Sequence, residues 1–140
     1  MIEQATKPTL IDLGAIGSPS LGYITVAECT SNVPFEIKRV YWTYYTPHNV
    51  TRGQHAHKRL QQVIAAVNGR IVFELETSSG ETFRFELDSP QKGLYIPPGC
   101  WRNIVFSHDA VLLCLASEPF DEADYIRDYE DFKSFDFSRI

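Results

Sequence analysis

A chain of 140 residues with a formal charge of -5 lacks the broad positive field on which nonspecific nucleic-acid binding depends, so DNA and RNA are poor partners for it. Its 44% hydrophobic content, with 9 Phe, 7 Tyr and 2 Trp, excludes the sparse, charged compositions that stay disordered and is enough for one folded domain spanning 1–140. No apolar run approaches the roughly 18 residues of a membrane helix, and no basic start leads into an apolar stretch.

In chain order, "TLIDL" near Thr9 is compatible with a strand. Eight β-type runs then follow from Gly22 to Ala116: "GYITVAEC", "IKRVYWTYY", "QVIAAVNG", "RIVFELE", "TFRFEL", "GLYIPPG", "NIVFSH" and "AVLLCLAS". They are rich in Val, Ile, Phe and Tyr and punctuated by turn residues, the pattern of a double-sheet jelly roll or a small barrel. Asn68-Gly69 and Ser78 to Gly80 read as local turns. After Pro119, "DEADYIRDYEDFKSF" puts Asp121, Glu122 and Asp124 in a first helical turn, with Ile126, Tyr129 and Phe132 recurring every third residue. This predicts a short C-terminal helix whose acidic residues form a solvated face. Cys29, Cys100 and Cys114 are odd in number and lack CxxC spacing, which points to neither a disulfide framework nor a zinc knuckle and fits a reduced, cytoplasmic setting. His48 and His108 sit in turn-like surroundings and are expected to be exposed.

The segment "RGQHAHK", Arg52 to Lys58, poses the chemical question. On a strand His55 and His57 point the same way, close enough to share a ligand or a proton. In spacing the chain follows the cupin metal motifs: after His57 come four residues, Gln62, six residues and Gly69, and "PPGCWR" places Arg102 where a third histidine would stand. An amide and a guanidinium therefore occupy two of the four ligand positions. Arginine stays protonated and cannot ligate a cation, so the metal reading is electrostatically disfavoured. What remains is acid–base work, since imidazole titrates near neutrality and nearby cations favour its neutral, basic form. The plainer alternative is a pair of histidines satisfied within a core.

With "VPFEIKRVYW", "RGQHAHKRLQQV", "LDSPQKGLYIPPGCW" and "DEADYIRDY" in this order, the chain resembles the cupin-type sugar-nucleotide 3,4-ketoisomerases over nearly its whole length. The resemblance implies an all-β jelly roll with a short C-terminal helix. It also implies conversion of dTDP-4-keto-6-deoxy-D-glucose to the 3-ketone through an enediol, without cofactor or metal, for deoxyaminosugar biosynthesis. His57 is implied as the carbon base and His55 as the group serving the oxygens, although the motif does not say which ring faces which atom. Arg52 matches a phosphate-binding arginine, with Lys58 and Gln62 as further substrate-binding residues; the plainer readings are a surface arginine and a satisfied core amide. Tyr23 and Arg102 stand where the family varies between gluco-type and galacto-type products, and this pair looks gluco-type, although Tyr23 could equally be a strand aromatic packed on its neighbours. Among Tyr41, Trp42, Tyr44 and Tyr45, one ring could stack on thymine. A homodimer that exchanges its N-terminal strand is also implied. The rival readings are a 3,5-epimerase with a His–Asp pairing and a separate tyrosine, a nucleotide-sugar-binding cupin without chemistry, and a metal-dependent oxygenase.

Overall fold

A computed structural model describes residues 6–139. The strands are β1 (Thr9–Asp12), β2 (Ile16–Ser18), β3 (Gly22–Ile24), β4 (Arg39–Tyr44), β5 (Thr51–His57), β6 (Gln62–Asn68), β7 (Ile71–Thr77), β8 (Thr82–Leu87), β9 (Lys92–Ile96), β10 (Cys100–Phe106), β11 (Val111–Ala116) and β12 (Tyr125–Ile126). Two five-stranded sheets, ordered β1-β9-β6-β11-β4 and β12-β5-β10-β7-β8, face one another, and β2 pairs with β3 as a separate hairpin. This is the expected jelly roll.

Alternation along the strands builds the core between the sheets. Ile64, Phe73, Leu94, Ile96, Phe106, Leu112 and Cys114 turn inward and are buried, each apolar side chain contributing about 1.5–3 kcal/mol relative to exposure. The outer face of the first sheet is apolar too. Val63, Tyr95 and Leu115 there are covered by Val33 and Phe35, while Val40, Trp42 and Tyr44 on the same face of β4 stay exposed. On the outer face of the second sheet, Ala56 packs against Ile126 and Phe132, the latter from helix α1 (Tyr129–Ser134).

Several expectations need correction. The run "GYITVAEC" is strand only over Gly22–Ile24; beyond it Asn32 ties the chain into a loop, accepting from Glu28 N–H and donating to the Val26 carbonyl. Gly69 takes the expected positive φ, 72°, and the local turn it makes carries the chain from β6 in one sheet to β7 in the other. The tail helix is shorter than predicted. Tyr125 and Ile126 pair with His57 and Ala56 at the edge of β5, and that strand pairing overrides the helical period until Asp128 caps α1 by accepting from Asp131 N–H. Finally, β1 hydrogen-bonds to the chain's own β9, Thr9 opposite Tyr95 and Asp12 opposite Lys92. Within this chain the N-terminal strand thus completes its own sheet. No described helix is long and apolar enough to cross a membrane.

Candidate active site

Where β4, β5, β6 and β10 come together, a small interior cavity of about 80 Å³ opens, lined among others by Tyr41, Thr43, Arg52, His55, Gln62 and Arg102. Arg102 lies opposite His55 in the β10–β5 register, and the register slips just beyond it, between Arg102 and Asn103. The slip is a bulge in β5: Gly53 has φ 86° and Gln54, though not glycine, has φ 56°. Gly53 is also sterically required, since a Cβ there would stand 2.9 Å from Cγ and from the carbonyl oxygen of Arg102. The "RGQH" sequence therefore shapes the backbone that lets the arginine lie against the histidine strand.

The two imidazoles meet edge to face, centroids 4.9 Å apart. Nδ1 of His55 donates to the Gly53 carbonyl at 2.9 Å, and Nδ1 of His57 donates to Oδ2 of Asp124 at 3.1 Å. A carbonyl and a carboxylate can only accept, so both rings carry their proton on Nδ1 and leave Nε2 with a free lone pair. Burial, then the Arg102 charge and the neighbouring ring, pushes the His55 pKa down to about 3. Burial also lowers His57, to about 4, against the opposing effect of its hydrogen bond to Asp124. Burial of Asp124 works against its charge, but hydrogen bonds from His57 and from Arg59 and Leu60 N–H prevail and hold its carboxyl below the ordinary range. The pair is thus a neutral imidazole on a carboxylate.

Arg102 is 1% exposed. Its guanidinium donates to the Gln62 Oε1 and to the Cys100 carbonyl at 3.1 Å, its Nε is buried without a partner, and no carboxylate pairs with it among the described residues. Burial works against that charge. A buried cation held by neutral groups alone is a standing electrostatic demand for a negative ligand or intermediate.

The other predicted residues divide. Gln62 is buried and spent on the protein, accepting from Arg102 and donating to the Tyr41 hydroxyl at 3.0 Å and to Cys114 Sγ at 3.3 Å, so it holds the arginine in place and has no free amide for a sugar. Arg52 stands at the cavity, exposed and without a hydrogen bond or ion pair among the described residues. Lys58 points the other way: one residue beyond His57, it shares the outer face with Ala56 and sets its ammonium 5.3 Å over the Phe135 ring. Tyr23 is 60% exposed on the β2–β3 hairpin and is not among the residues that line the cavity. Of the four candidate aromatics only Tyr41 turns inward. Burial raises its hydroxyl far above the usual tyrosine range. His48 and His108 are exposed, as expected.

Sequence reasoning misses Asp124, which it places on a solvated face but which is 4% exposed. Its partner lies 67 residues away, and no local pattern reports such a contact; the one cue was its place within "DEADYIRDY". Among the described residues no three His, Cys, Asp or Glu side chains converge as a metal site.

A jelly roll whose interior holds two pinned imidazoles beside a buried guanidinium defines an acid–base isomerase of the cupin class. Comparison with known proteins makes this specific. Residues 6–136 match the family model described as FdtA: WxcM-like, C-terminal, and the chain belongs to that family. It is 42% identical over 119 residues to the TDP-4-oxo-6-deoxy-alpha-D-glucose-3,4-oxoisomerase of Aneurinibacillus thermoaerophilus, covering 83% of this chain and 84% of that one. Among solved structures it is similar to the sugar 3,4-ketoisomerase QdtA of Thermoanaerobacterium thermosaccharolyticum in complex with TDP (39% identity, 93% and 94% of the two chains, TM-score 0.86). It is likewise similar to the TDP-quinovose 3,4-ketoisomerase WlaRB of Campylobacter jejuni (38%, 92% and 98%, 0.86).

Proposed function

We propose that the protein converts dTDP-4-keto-6-deoxy-D-glucose to dTDP-3-keto-6-deoxy-D-glucose by proton transfer between C3 and C4. The observation that carries this reading is the pairing of two neutral imidazoles, each with its Nδ1 engaged, beside a buried guanidinium that has no carboxylate partner among the described residues. His57 takes the C3 proton on Nε2, and the electron pair of that C–H bond moves into the C3–C4 bond while the carbonyl becomes an enediolate. The imidazolium so formed is stabilised by Asp124 through Nδ1–H. Arg102 supplies the positive charge that the enediolate oxygen develops against. His55 moves the hydroxyl proton from the C3 oxygen to the C4 oxygen, and a solvent-derived proton adds to C4 as the His57 imidazolium gives up its own to solvent, leaving the ketone at C3, so atoms and charge balance without an external oxidant. Arg52 grips the diphosphate through paired charge-assisted hydrogen bonds. The gluco branch rests on Arg102 alone, because Tyr23 lies outside the cavity of its own chain.

The deciding experiment mixes chelator-treated protein with dTDP-4-keto-6-deoxy-D-glucose in D2O and follows the sugar by NMR. Deuterium at C4 of a gluco-configured 3-ketone is the expected product. The His57–Asp124 pair is also what a 3,5-epimerase displays, and deuterium at C5 with the 4-ketone retained would establish that second reading instead; an unchanged spectrum would leave a binding protein. We further infer a cytoplasmic homodimer that joins through the exposed apolar face around Trp42, which sedimentation velocity tests: a monomeric coefficient at micromolar concentration refutes it.

A further inference from the structure

Tyr125 touches both imidazoles of the site. Its ring centroid is 5.0 Å from that of His55 and 4.4 Å from that of His57, which makes a three-ring cluster with the histidine pair itself. The ring is placed by the main chain, because β12 pairs with β5 directly across from His57. It is backed as well as placed: the Arg127 guanidinium lies 4.1 Å over its centroid, the Phe120 ring stands 5.8 Å away, and Arg127 is itself tied to Glu122 at 2.6 Å. With each Nδ1 already engaged, the freedom left to the imidazoles is rotation of the side chain out of its well, and a ring packed at a tilt against both of them opposes it.

We propose, on the ketoisomerase reading above, that Tyr125 is a positioning residue whose ring, and not its hydroxyl, fixes both imidazoles and keeps water from them. Its neighbour Asp124 sets the proton on one ring, whereas Tyr125 sets the orientation of both, so one dipeptide from the far end of the chain organises the whole pair. The charged groups that act on the pair are Asp124 at His57, Arg102 from β10, Arg39 from β4 and Arg127 after β12; of these only Arg127 packs on the Tyr125 ring, and its charge is the smallest of the causes at His55. A change at this ring therefore reports chiefly on water and orientation.

The test compares Tyr125→Phe with Tyr125→Ala, and adds Tyr125→Leu, which keeps bulk without the ring and serves where the alanine variant fails to fold. Two readouts are needed: steady-state kinetics on dTDP-4-keto-6-deoxy-D-glucose, and NMR titration of both histidines in the substrate-free protein. Tyr125→Phe is expected to keep kcat within about threefold, while Tyr125→Ala lowers it by about ten- to a hundredfold with little change in KM, as loss of alignment does. In the alanine and leucine variants both histidine titrations move up toward the roughly 6.5 of free imidazole. A phenylalanine variant as impaired as alanine makes the hydroxyl the agent and overturns the proposal, as do unchanged titrations in the alanine and leucine variants. The titration arm stands without turnover, so an inactive wild type would sink the assigned reaction while leaving the role of this ring to be decided separately.

Discussion

At the scale of single residues the site is a problem in keeping two bases neutral beside a cation. His57→Asn removes the lone pair that receives the carbon proton, and kcat is expected to fall at least a hundredfold, the usual loss with a general base. Asp124→Asn keeps the shape but offers an amide that can present either a donor or an acceptor to Nδ1, so the tautomer is no longer fixed. A drop of about tenfold or more in kcat with KM held is the expected result; equal rates would remove the carboxylate from the mechanism. Arg102 stands under the opposite tension. Arg102→Met removes a fully buried charge that no carboxylate among the described residues offsets, so the melting temperature should be unchanged or higher while turnover is lost. A variant that is both less stable and still active would show that the guanidinium serves packing.

Among the elements, β5 has the most to accommodate. Its bulge puts Gln54 into the left-handed region and brings Gly53 against Arg102, a local strain of the kind found at sites whose surroundings enforce it. Gly53→Ala adds a methyl at positive φ and into that contact, and should destabilise the fold by about 1–3 kcal/mol while displacing the arginine; urea unfolding together with kcat measures both. The strands were legible because alternation and β-branched content are local, as "RIVFELE" and "AVLLCLAS" show in β7 and β11. The histidine pair was legible for the same reason. Lys58 was misplaced because motif proximity says nothing of which face of a strand a side chain takes, and the tail was read as helix because pairing with β5 is decided by an edge distant in sequence.

For the molecule as a whole, the acid side of the stability curve follows from the buried histidines. Both are held neutral, at about 3 and about 4, whereas in the unfolded chain they take up protons below about 6.5. The unfolded state then binds more protons, and stability falls as pH drops from about 6.5 toward 4. Asp124, held below its ordinary value, works in the same direction at still lower pH. Melting temperatures measured from about pH 7.5 to 4.5 should decline, and the decline should flatten when both histidines are replaced by asparagine; a parallel slope would mean that they carry no share of it. The acid limb of kcat/KM should likewise lie below 6.5, with turnover persisting at about pH 5.5. The joining of His57 to Asp124 across 67 residues also bears on synthesis and turnover. A polypeptide that stalls, or is clipped, between its fifty-eighth and hundred-and-twenty-fourth positions has both bases yet lacks the carboxylate that pins His57. Full turnover thereby doubles as a check that translation ran past that position.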